Sequence, residues 1–103
     1  MIEPDAPHLL PVEVASALRR AQQSAAVSAD VASLAHRDLL DLDIRLHAYA
    51  PLAARVWQLR STVSSDDAWY VALAEALDAP LATLDRRLAR AAGPDCRFIT
   101  PPE

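Results

Sequence analysis

Acidic residues stand at three junctions of the chain: Asp66 and Asp67 in "SSDDAWYVALAEAL", Asp85 in "LATLDRR", and Glu13 in "PVEVASALRR". Carboxylates brought to one place repel each other unless a cation neutralises them. An oxygen-only cluster suits a hard ion, Mg²⁺ or Mn²⁺. Such an ion activates water and stabilises the charge that builds on a phosphate during phosphodiester hydrolysis. Everything then depends on whether folding gathers these side chains.

The elements around them predict that it does. "PHLLPVEVASALRRAQQ" reads as a short strand running into a helix, with Pro11 in the first turn and Leu10, Val14, Ala17 and Ala21 at helical spacing. A second helix starts after Ser28, a good N-cap, and runs through "ADVASLAHRDLL". "DIRLHAY" alternates Ile44, Leu46 and Ala48 against Arg45, His47 and Tyr49, which predicts a strand with one covered face. "APLAARVWQLR" is helical, and the quoted acidic-to-apolar run is the next helix. "APLATL" reads as a buried strand, "DRRLARAAG" as a helix ended by Gly93 at C′, and "CRFIT" as a closing strand. The predicted order is β-α-α-β-α-α-β-α-β, hence a mostly parallel sheet with helices on its faces.

In such a unit a helix runs antiparallel to the strand that follows. A helix from Asp67 to Leu77 rises about 16 Å, and a strand from Leu81 to Asp85 returns about 16 Å. Asp67 and Asp85 are therefore expected at the same carboxyl edge of the sheet, where open α/β sheets bind ligands. Glu13, opening a helix after a strand, points to that edge too. Plainer roles fit each residue equally well at this level. Acidic residues at a helix start complement the dipole, so Asp66 and Asp67 also suit caps. Asp85 suits the N-cap of the last helix, and Glu13 an exposed helix position.

Composition narrows the alternatives. The chain has 103 residues, 52% of them hydrophobic, which suits one compact domain over residues 1–103. Its net charge is −4 and all ten basic residues are Arg, so contact with a polyanion needs a local basic patch or metal ions. One cysteine, Cys96, excludes an internal disulfide and fits a reducing compartment. No apolar run nears the length of a membrane span, and "MIEPDAPHLLP" has no signal-peptide pattern, so a cytoplasmic protein is expected. His8, His36 and His47 share no ligand spacing. A chain with a single glycine has no Gly-rich phosphate loop. Trp57, Trp69 and Tyr70 sit at helical positions that suit core or dimer packing better than base stacking. Arg86 and Arg87, beside Asp85, read as a solvated face, or as contacts to phosphates or to the acidic edge.

"PHLLPVEVASALRR", "DDAWYVALAEALDAPLATLDRRLARAAG" and the order between them resemble the PIN-domain endoribonucleases, in particular the VapC toxins of bacterial toxin–antitoxin pairs. The resemblance implies a three-layer α/β/α fold and a Mg²⁺- or Mn²⁺-dependent ribonuclease. It implies an RNA substrate, an antitoxin protein as partner and a homodimer. Among the four acidic positions that hold the metal in that family, Glu13 matches the second, Asp67 the third and Asp85 the fourth. Thr83 stands as a supporting hydroxyl behind Asp85. No counterpart of the first acidic position is found near the start, so the first central strand of the family is expected to be absent. A non-cleaving homologue that keeps an antitoxin-binding or self-associating surface is the alternative reading.

Overall fold

A computed structural model describes residues 3–102. The chain divides into two compact units, Met1–Leu46 and His47–Glu103. Its elements follow the predicted order.

The N-terminal unit holds β1 (Asp5–Pro7), α1 (Leu9–Gln23), α2 (Ala29–Leu40) and most of β2 (Arg45–His47). β1 pairs with β2, and the Arg45 N–H donates to the Pro4 carbonyl at 2.8 Å. The Arg45 guanidinium grips Asp5 at both carboxylate oxygens, at 3.0 and 3.2 Å. The turn between α1 and α2 is closed without glycine. Ala25 takes φ 64°, the Ala26 N–H reaches the Ala21 carbonyl and the Ala25 N–H reaches that of Gln22. This is a Schellman closure carried by a residue for which the left-handed region is strained. α2 then starts where expected, with the Ser28 hydroxyl accepting the Val31 N–H.

The C-terminal unit holds a 3₁₀ turn (Ala50–Leu52), α3 (Ala53–Gln58), α4 (Ser65–Ala76), β3 (Leu81–Ala82), α5 (Arg86–Ala89) and β4 (Phe98–Ile99). α4 is its centre. Ala68, Val71, Ala72, Leu73 and Ala74 are all buried, because small and branched side chains let α3 and β3 approach closely. Val56 and Leu59 of the α3 region, Val63 and Leu88 complete the core, with Leu81, Cys96 and Phe98 packed against it. Burying a side chain such as Leu59, 1% exposed, stabilises the fold by about 1.5–3 kcal/mol. β3 and β4 run parallel, with Leu81 opposite Phe98 and Ala82 opposite Ile99.

The α/β expectation holds, with helices alternating with short strands and β3 parallel to β4, while several details need correction. The four strands form two two-stranded sheets, β1–β2 and β3–β4, among the described residues. "HLLP" is not extended: the strand lies at Asp5–Pro7, and Leu9 already begins α1. Strand pairs this short leave faces uncovered. Leu46 is 40% exposed and Ala48 is exposed as well, so the alternation in "DIRLHAY" does not mark a buried face. "APLATL" is half-buried at Leu81 but open at Leu84. The last helix stops at Ala89, and Gly93 serves a later turn at φ 110° rather than the helix end. There a side-chain Cβ would stand 3.1 Å from Leu59 Cδ2, and the positive φ strains any residue other than glycine.

Candidate active site

α4 begins at Ser65, two residues earlier than its apolar run suggests, because Ser64 is its N-cap. The Ser64 hydroxyl accepts the Asp67 N–H at 3.3 Å. "SSDD" carries the signal for this: a serine three residues ahead of an acid before an apolar run. Asp66 and Asp67 thus occupy the first helical turn, where negative charge offsets the positive end of the helix dipole. The cap accounts for the Asp67 backbone but not for its carboxylate, which accepts no hydrogen bond among the described residues. Asp66 is exposed, whereas Asp67 is half-buried.

Asp85 follows β3 and is the N-cap of α5. Its Oδ1 accepts the N–H groups of Arg87 at 2.9 Å and Leu88 at 3.2 Å. Thr83 stands behind it, its hydroxyl accepting the Asp85 N–H at 3.0 Å. The plain capping role is therefore met by Asp85, and one oxygen of the carboxylate carries it.

Asp67 and Asp85 line one cavity of about 310 Å³, with Thr62, Val63, Ser64, Arg87, Leu88 and Ala91. The helix-then-return-strand geometry thus brings these two carboxylates together. Glu13 lies in the other unit, exposed on α1. Among the described residues no three His, Cys, Asp or Glu side chains gather as a metal-holding group. The cavity contributes a carboxylate pair with the hydroxyls of Thr62 and Ser64 beside it.

The donor set fits a hard divalent ion. Mg²⁺ keeps several of its waters and commonly takes only one or two carboxylates from protein, and this cavity has oxygen donors and room for water. For Arg87 the sequence predicts a solvated face, or a contact to phosphate or to the acidic edge. It is highly exposed yet lines the cavity, its Nε 4.0 Å from Asp85 Oδ1. A guanidinium there offsets part of the acidic field and offers donors to an entering phosphate. Thr62 escaped the sequence reading altogether. Its hydroxyl donates to the Ala92 carbonyl at 2.7 Å, tying the cavity lip to the segment after α5.

That segment is held from the far end of α4 as well. Arg55 Nε and Nη2 donate to the two Glu75 oxygens at 2.6 and 2.9 Å, and Nη2 also reaches the Gly93 carbonyl at 2.9 Å. The Asp95 N–H donates to Glu75 at 2.7 Å. The Arg55 hydrogen bonds hold the Glu75 carboxyl below the usual range, against an opposing push from burial. Burial pushes the Cys96 thiol up, which suits a packed rather than a reactive cysteine.

The family model for the PIN domain matches residues 6–94, and the chain belongs to that family. Within it the chain is similar to proteins named as VapC ribonucleases. Ribonuclease VapC1 of Mycobacterium tuberculosis is 48% identical over 95 residues, covering 91% of this chain and 71% of the relative. Ribonuclease VapC9 of the same organism is 36% identical over 96 residues, covering 93% and 76%. Ribonuclease VapC12 is 40% identical over 88 residues, covering 85% and 68%. The resemblance drawn from "DAWYVALAEAL" and "PLATLDRRLA" is thereby established at the level of the family. No helix among the described residues is long and apolar enough to cross a membrane.

Proposed function

We propose that this chain is a metal-dependent endoribonuclease, the toxin of a toxin–antitoxin pair, acting in the cytoplasm. The observation that carries this reading is the pairing of Asp67 and Asp85 in one polar cavity of a chain 48% identical to a ribonuclease. Asp67 and Asp85 would hold Mg²⁺ or Mn²⁺, with Glu13 as a further carboxylate. The bound ion supplies an activated water and stabilises charge on the phosphate under attack. The chain's own groups do the positioning. Ser64 fixes the turn that presents Asp67, and Thr83 fixes the backbone of Asp85. The free carboxylate of Asp67 remains open to a cation, and Arg87 draws the phosphodiester toward the acidic pair. An antitoxin protein would bind over the cavity and block it, and the toxin would act as a homodimer.

The test is Asp67→Asn. It keeps the size and the backbone cap but removes the charge. Mg²⁺-dependent cleavage of a labelled RNA is expected to fall by at least 10²-fold, in the range typical of removing one electrostatic contribution to catalysis. Cleavage unchanged by this substitution refutes the assignment. If the unaltered chain neither cleaves RNA nor binds Mg²⁺ at millimolar concentration yet still binds an antitoxin, the non-cleaving reading replaces it.

A further inference from the structure

Trp57 and Arg60 carry a feature that the cavity does not explain. Both lie at the outward side of the α3 turn whose inward side buries Val56 and Leu59. Of the two packing roles that the sequence suggests for Trp57, core or dimer, the core one is overturned: the side chain is 64% exposed, unusual for the largest apolar side chain. The Arg60 guanidinium lies over its ring, 4.5 Å from the ring centre, and Arg60 Nη1 donates to the Trp57 carbonyl at 2.8 Å. The stack is therefore tied at backbone and side chain.

The charge of Arg60 is also uncommitted. Arg55 is neutralised by Glu75 and Arg87 faces Asp85; Arg90 and Arg97 share with Arg60 the lack of a carboxylate partner among the described residues, but only Arg60 is stacked on an indole there. Arg60 has no carboxylate partner among the described residues and spends one of its five N–H donors on protein. A chain of net charge −4 attracts no polyanion in bulk, so an uncommitted cation has a disproportionate local effect. Position decides the rest. Arg60 is two residues from Thr62 on the cavity lip, a separation of at most about 7 Å along the chain.

We propose that Trp57 and Arg60 form a base-stacking and phosphate-binding subsite that seats single-stranded RNA beside the acidic cavity. The inference rests on the ribonuclease reading and names its substrate class. An indole face accepts any base, and an adjacent guanidinium holds the backbone, which is how single strands are bound without sequence readout. A duplex hides its base faces and is disfavoured here.

The experiment measures cleavage of a labelled single-stranded RNA by the full chain with Mg²⁺, alongside light scattering. Base stacking contributes about 1–3 kcal/mol, so Trp57→Ala is expected to raise KM roughly 5- to 150-fold with kcat within about twofold. Trp57→Phe retains most of the affinity. Arg60→Gln lowers the slope of log affinity against log salt by about one. Unchanged KM in Trp57→Ala and in Arg60→Gln overturns the subsite. A change of oligomeric state with KM unaltered also overturns it, and assigns the face to contact between copies of the chain. If the unaltered chain does not cleave RNA, the ribonuclease reading has failed separately. Fluorescence anisotropy of the same RNA then decides: binding lost in Trp57→Ala supports the subsite, and no binding by the unaltered chain overturns it.

Discussion

Replacing Glu75 by Ala removes the carboxylate on which the C-terminal unit is stapled. Glu75 accepts from Arg55 at 2.6 and 2.9 Å and from the Asp95 N–H at 2.7 Å. The side chains of Arg55 and Glu75 are 29% and 15% exposed, so solvent screens the pair only in part. A hydrogen bond to a charged group contributes about 1.5–3 kcal/mol, and bonds that share one carboxylate do not add in full. Removing one partner of a buried pair costs about 3–5 kcal/mol. With water still able to reach the abandoned guanidinium, a loss of about 2–4 kcal/mol is expected. In a chain of this size that lowers Tm by roughly 10–20 °C. Urea and thermal unfolding of the single variants Glu75→Ala and Arg55→Ala and of the double variant measure it. The double variant should lose less than the sum of the two single losses by at least about 1 kcal/mol. The acid side offers a second readout. Because the folded-state pKa of Glu75 lies below its ordinary 4.5, the staple's contribution is full above that value and is lost as the pH falls through the depressed one. Glu75→Gln should flatten this part of the stability profile. A loss under about 0.5 kcal/mol in Glu75→Ala, or strictly additive single variants, would refute the reasoning.

Asp85 separates capping from metal binding. Asn caps as well as Asp, so Asp85→Asn should keep the unfolding midpoint within about 0.5 kcal/mol while Mg²⁺-dependent cleavage falls at least 10²-fold; Asp85→Ala should lose the cleavage and about 1 kcal/mol of stability besides. Equal activity in Asp85→Asn and the unaltered chain would leave Asp85 as a cap alone. Gly93→Ala places a Cβ 3.1 Å from Leu59 Cδ2 at φ 110° and should destabilise by more than about 1 kcal/mol, read from the urea midpoint.

Read alone, the amino-acid order determined the succession of elements, because apolar period and capping residues are local properties. Ser28 at the start of α2 and the alternation of strands with helices needed no tertiary information. It also predicted the meeting of Asp67 with Asp85, since the rise of α4 and the return of the following strand are set by backbone geometry. The family was legible in the run from Asp66 to Gly93 for a related reason: the motif is contiguous. What escaped was whatever depends on neighbours far along the chain. Whether a strand is covered depends on what lies over it, so Leu46 and Leu84 were misjudged as buried. Trp57 gives no sign in sequence of facing outward, because the helix period places both Val56 and Trp57 near the core and only the packing of Leu59 and Val63 chooses between them. The staple joining Arg55, Glu75, Gly93 and Asp95 spans 40 positions of sequence, and no local pattern announces it. Tertiary structure also divided the labour at the acidic residues. It gave Asp85 an N-capping duty and left the Asp67 carboxylate without a protein donor among the described residues, while the Ser64 hydroxyl took the Asp67 N–H.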